Sequence, residues 1–130
     1  MTNDAFYNAY TSNFNTKKEV LNEMEKVLQQ SDNSDESDLI ITTEYVIQTD
    51  NGKRETFYWK DLDPNSRYLT DQKDRTSIIA RLRIGNTITY GVVIAKRNKK
   101  KLESSFVVTF PQKKDAQIMQ ALCFRMAELQ

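Results

Sequence analysis

Five of the six residues from Lys96 to Lys101 are cations: Lys96, Arg97, Lys99, Lys100 and Lys101. Charges at this density hold phosphate oxygens electrostatically, and they do so without reading base sequence. The plain alternative is a solvated loop whose lysines keep a sheet edge from pairing with another chain. Further cations could widen such a surface. Arg81 and Arg83 alternate with apolar residues in a strand-like stretch, and Lys113 and Lys114 open a helical one. Cations in a first helical turn oppose the helix dipole, so stability does not ask for them there. Tyr58, inside "TFYWK" (56–60), is the aromatic whose ring strand alternation sends away from Phe57 and Trp59. It could stack on a base or seat a protein partner.

Catalytic chemistry is thinly supplied. The chain has no histidine, which removes the commonest general base near neutral pH and the imidazole-dependent triads. One cysteine and no histidine leave no ligand set for structural zinc, haem or an iron–sulfur cluster. The three glycines, Gly52, Gly85 and Gly91, cannot build a phosphate-binding glycine loop. Asp61, Asp63 and Asn65 are spaced like the start of a calcium loop. Ser66 stands where that loop needs glycine and Gln72 where it needs glutamate, so Asp63-Pro64-Asn65 is better explained as a turn. Asp71 and Lys73 echo the acidic-x-Lys end of a metal-dependent nuclease site, but in a polar connection and not a strand. The expectation is a non-enzymatic protein with no cofactor and no metal.

A chain of 130 residues is one domain that can bury a core without staples. Cys123 lies in an apolar helical stretch and reads as a buried small hydrophobe. No disulfide framework, no signal-like leader and no membrane-length apolar run are present, so a cytoplasmic protein is expected. The net charge of +1 hides an asymmetry. Residues 1–65 hold 13 acids and 6 bases, a balance of −7; residues 66–130 hold 5 acids and 13 bases, a balance of +8. Such a split points to an interaction surface, unless the two halves neutralise each other across the fold.

The elements that must position these residues are legible from pattern. Thr16 and Glu19 make a Thr-x-x-Glu capping box for a helix over 16–30, with Val20, Leu21, Met24, Val27 and Leu28 as its apolar stripe. Phe6, Tyr10 and Phe14 predict a short helix before it, over 3–12. "SDNSDESD" (31–38) is an acidic linker. Strands follow at 39–48 and 53–62, joined at Asp50-Asn51-Gly52. A second pair runs over 76–84 and 87–95. There the apolar sets Ile78, Ala80, Leu82, Ile84 and Ile88, Tyr90, Val92, Ile94 share a face only if 84 pairs with 88 across a three-residue loop, Gly85-Asn86-Thr87. That register puts Arg81 and Arg83 on the other face, beside Thr89 and Gly91. A fifth strand is expected at 104–110, with "KRNKKKLESS" (96–105) as the loop before it. A last helix covers 115–129, with Pro111 suited to its first turn.

The predicted fold is α+β: a mostly antiparallel five-stranded sheet, two hairpins plus a fifth strand, with the N- and C-terminal helices on one face. The expected function is a small binding protein that contacts nucleic-acid phosphates through the lysine-rich loop, with Arg81, Arg83, Lys113, Lys114 and Tyr58 extending the surface. The competing reading is a protein-interaction module, an adaptor or an inhibitor from a phage or other mobile element. It would use the acidic N-terminal half or an aromatic sheet surface. A homodimer is a further candidate, since both long helices have broad apolar faces.

Overall fold

The computed structural model describes the backbone of residues 3–30, 39–50, 52–62, 76–84, 87–98 and 101–130. Side chains are described at 7–30, 39–49, 52–62, 88, 90–92 and 108–130. In chain order the elements are α1 (Asn3–Thr11), α2 (Lys17–Gln30), β1 (Leu39–Ile41), β2 (Tyr45–Asp50) and β3 (Lys53–Tyr58). A 3₁₀ turn (Trp59–Asp61), β4 (Thr76–Ile84), β5 (Thr87–Asn98), β6 (Lys101–Phe110) and α3 (Lys113–Glu128) complete them. The class is α+β, but the single five-stranded sheet is corrected to two antiparallel three-stranded sheets, ordered β1-β2-β3 and β4-β5-β6.

The sixth strand appears because 39–48 is not one strand. It folds back at Thr42-Thr43-Glu44, so that β1 pairs with β2 from Leu39 opposite Gln48 to Ile41 opposite Val46. The turn has no glycine or proline; one hydroxyl builds it instead. Thr42 Oγ1 accepts the backbone N–H groups of Glu44 (3.2 Å) and Tyr45 (3.0 Å), and the hydroxyl lies 3.1 Å from the Tyr45 carbonyl to which it donates. Threonine side chains compete with the strand ladder in this way, against their own β-propensity. At the other end of β2, Asp50 pairs with Lys53 across a two-residue connection. Gly52 there takes φ +81°, the left-handed region that costs a glycine little.

α2 starts where its cap predicts. The Glu19 N–H donates to Thr16 Oγ1 (3.1 Å), while the Thr16 hydroxyl donates to Glu19 Oε1 (3.0 Å). Val20, Met24, Val27 and Leu28 are buried. Proline does not open α3; Gln112 is the N-cap residue and Pro111 precedes it.

The core is organised around α3. Its buried residues are Ala116, Met119, Ala121, Leu122, Cys123, Phe124, Met126 and Ala127. At 3.6 residues per turn these positions spread over most of the helix circumference. A helix apolar nearly all round is enclosed on several sides. α3 does meet α1, α2, the 3₁₀ turn and all three strands of the second sheet. The expected arrangement, helices together on one face of one sheet, is therefore replaced by a central α3 with other elements around it. Val46, Phe57, Trp59, Val92, Val108 and Phe110 join the same core.

Side-chain hydrogen bonds fasten the chain's beginning to α3. The Tyr7 hydroxyl donates to Glu128 Oε1 (2.7 Å), and Arg125 donates through Nε to the Phe14 carbonyl (2.8 Å) and through Nη1 to Glu128 Oε1 (2.9 Å). Tyr7 is buried against Phe124, ring edge to ring face, with centroids 6.5 Å apart. Among the described residues, no helix is long and apolar enough to cross a membrane.

Candidate functional site

The cationic stretch is a strand end and not a loop. β5 and β6 stay paired to Asn98 opposite Lys101, so Lys96 and Arg97 belong to β5 and Lys101 to β6. Only Lys99 and Lys100 fall between the strands, and they lie outside the described residues. Lys96 stands opposite Glu103 and Arg97 opposite Leu102. The pairing steps from Ile94–Phe106 to Ala95–Ser104, which leaves Ser105 as the extra residue of a bulge. A bulge sharpens the local twist and redirects the strand beyond it. The cations of the hairpin begin only past this point, at Lys96, four residues or about 13 Å along β5 from the buried Val92.

The register of β4 on β5 also corrects an expectation. Ile84 pairs with Thr87, which makes a two-residue connection and not the three-residue loop. Two-residue connections match the twist of their flanking strands best, and here that outweighs gathering the apolar sets on one face. Arg81 consequently stands opposite Tyr90, and Arg83 opposite Ile88; neither is aligned with Thr89 or Gly91. Ile78, Ala80, Leu82 and Ile84 are opposite Val93, Gly91, Thr89 and Thr87.

Cations therefore occupy opposite ends of the second sheet. Arg81 shares a row with Tyr90, which itself pairs with Phe110, the last residue of β6. Lys113 and Lys114 follow a few residues later, exposed in the first turn of α3. Lys101 opens β6 nine residues earlier, about 30 Å away along the strand. Arg81, Arg83, Lys113 and Lys114 gather at one end; Lys96, Arg97 and Lys101 gather at the other.

Tyr58 lies in neither group. It ends β3 on the outward face of the first sheet and is 45% exposed, whereas Phe57 and Trp59 are buried. The expected strand over 53–62 stops at Tyr58, and Trp59 opens the 3₁₀ turn. Trp59 is held by two bonds to the threonine turn: its indole N–H donates to the Thr42 carbonyl (2.9 Å) and its backbone N–H to the Glu44 carbonyl (3.0 Å). Tyr58 packs against Tyr45, its partner in the ladder, with ring centroids 5.9 Å apart at 68°. Lys60 Nζ stands 5.7 Å over the Tyr58 ring, a cation–π distance. Tyr45 and its neighbours Ile40 and Ile47 had no signal of function in the sequence. They belong to a β-branched run that reads equally well as core.

Titratable chemistry is sparse in the described part of the molecule. Burial pushes the Cys123 thiol far above its ordinary range, which makes it a poor nucleophile. Tyr10 is also pushed up, by burial first and then by Glu23, whose Oε1 lies 3.5 Å from its hydroxyl. Among the described residues no three metal-ligating side chains cluster. Asp61 ends the 3₁₀ turn, while Asp63, Asn65, Asp71 and Lys73 lie outside the described residues. Comparison with protein-family models, with curated proteins and with solved structures gives no match.

Proposed function

We propose that this protein is a small non-enzymatic binding protein that contacts nucleic-acid phosphates through the cationic end of the β5–β6 hairpin. The supporting observation is the register of that hairpin. It brings Lys96, Arg97 and Lys101 to one short strand end, with Lys99 and Lys100 adjoining in sequence, about 13–20 Å along the strand from the buried Val92. Cations gathered at the end of a paired strand hairpin can approach a phosphate backbone together. Arg81, Arg83, Lys113 and Lys114 at the sheet's far end form a second, separate phosphate-contacting group in this reading.

The test is a fluorescence-anisotropy titration against single- and double-stranded DNA and RNA at several salt concentrations. The expected result is affinity that falls steeply with salt, because each neutralised phosphate releases a counterion. Replacing Lys99, Lys100 and Lys101 together by Ala reduces the slope of log K against log salt by roughly 2–3, at about 0.7–0.9 for each phosphate no longer neutralised. An unchanged slope and affinity in that variant would refute the proposal.

A further inference from the structure

The outward face of the first sheet is a second surface with its own chemistry. Val46 pairs with Phe57, and both are buried, which fixes that row as facing the core. The alternate rows face out: Tyr45 with Tyr58, Ile47 with Thr56, and Thr49 with Arg54. Ile40 extends the Ile47 row onto β1 and is 51% exposed. None of these outward strand positions carries a carboxylate, although 13 of the 19 charges in residues 1–65 are acidic. The charges that do stand with this face are the exposed Arg54 and the exposed Lys60 over the Tyr58 ring.

We propose that this face is a stacking platform for the bases of single-stranded nucleic acid. Tyr58 and Tyr45 take bases on their rings, and Lys60 and Arg54 take the adjoining phosphates. The proposal rests on the nucleic-acid reading above and names the substrate class. Aromatic rings on an open sheet accept any base through its π-face, with a positive charge following the backbone. A duplex hides those π-faces within its own stack, so the platform selects unpaired strands. Lys60 stands over one face of the Tyr58 ring, and a base that takes this face displaces the ammonium toward the adjoining phosphate. Interfaces between proteins deplete charge and enrich apolar area at their centre. Here Lys60 stands over the Tyr58 ring and Arg54 lies on the same face, and none of the outward strand positions described carries a carboxylate, which favours a polyanion.

Labelled oligothymidylate, oligouridylate and a mixed-sequence duplex of the same length test this against the wild type, Tyr58→Ala, Tyr58→Phe and the Lys99–Lys101 triple alanine variant. Tyr58 is exposed, so its variants keep the fold, checked by the emission of Trp59. The expected results are tighter binding of the single strands than of the duplex, and a loss of roughly tenfold in Tyr58→Ala at unchanged salt slope. Tyr58→Phe keeps binding within about twofold, because the π-face survives. The triple variant lowers the slope instead. Salt-dependent binding that is indifferent to Tyr58→Ala, or that prefers the duplex, overturns the platform and leaves the hairpin reading standing. Tyr58-dependent binding whose slope the triple variant leaves unchanged supports the platform and overturns the hairpin. No binding of any probe overturns both. A protein partner that survives nuclease treatment and is released by Tyr58→Ala overturns the platform in favour of protein docking.

Discussion

Replacing Trp59 by Phe separates one hydrogen bond from the rest of a buried side chain. Trp59 is fully buried, and its indole N–H donates to the Thr42 carbonyl at 2.9 Å. Phenylalanine keeps an aromatic ring against Phe57, whose centroid lies 6.5 Å from that of Trp59. It leaves the Thr42 carbonyl without that donor and the site short of part of a ring. An unsatisfied buried acceptor costs about 1–3 kcal/mol. Thr42 is only half-buried, so water recovers part of this and the lower half of that range applies. The missing ring atoms cost about 1–2 kcal/mol more. The sum is about 2–4 kcal/mol. For a chain of this length each kcal/mol lowers Tm by roughly 3–5 °C, so the expected drop is about 6–20 °C. Trp59 is the chain's one tryptophan, so unfolding of the variant is followed by circular dichroism and urea titration. A loss under about 0.5 kcal/mol would refute the reasoning, since this is the range of a surface substitution. It would mean that the threonine turn holds β1 against β2 without help from the indole.

Other outcomes follow from single contacts. Tyr7→Phe removes a charge-assisted bond to Glu128 and costs about 1.5–3 kcal/mol by chemical denaturation, the lower end applying because Glu128 is exposed. Thr16→Ala removes the acceptor at the start of α2 and costs about 1 kcal/mol, while Thr16→Ser costs a few tenths. Cys123 resists thiol reagents at pH 8 in the native protein and reacts on unfolding in urea. Because the folded state holds its thiol neutral, its contribution is complete below the ordinary thiol range, about pH 8.5. It declines as pH rises above that, where the unfolded thiol ionises. Tm should therefore fall on the alkaline side, and less steeply in Cys123→Ala.

What was legible in the sequence was what local pattern alone decides. The capping box at Thr16 and Glu19 places α2 within a residue, and the glycine at 52 marks the β2–β3 hairpin. Tyr58 as the exposed aromatic of "TFYWK" follows from alternation. Failures came where one signal had to be weighed against another. The apolar sets on β4 and β5 argued for one register and the shortest connection for another, and the connection prevailed. The turn at Thr42 carries no glycine or proline because a hydroxyl takes their place, so propensity runs straight through it. Tyr7 has no apolar periodicity to set it above Phe6; what singles it out is a hydrogen bond to a residue 121 positions away. The outward face around Tyr45 and Ile47 was illegible for a related reason. In a run rich in β-branched residues, which side meets the core depends on a partner that the run does not contain.

The central place of α3 bears on how the chain comes to fold. It follows every other described element in the sequence, yet it meets α1, α2, the 3₁₀ turn and the second sheet. During synthesis both sheets and the two N-terminal helices emerge before the element that covers them. Until α3 arrives, Val46, Phe57, Val92 and Val108 have no finished interior, and both sheets must persist on local pairing alone. The decisive contacts span nearly the whole chain, so their closure entropy falls due late and at once. Assembly then has a non-local, slow step. A nascent chain halted before Lys113 is a set of unburied apolar strands and a substrate for chaperones.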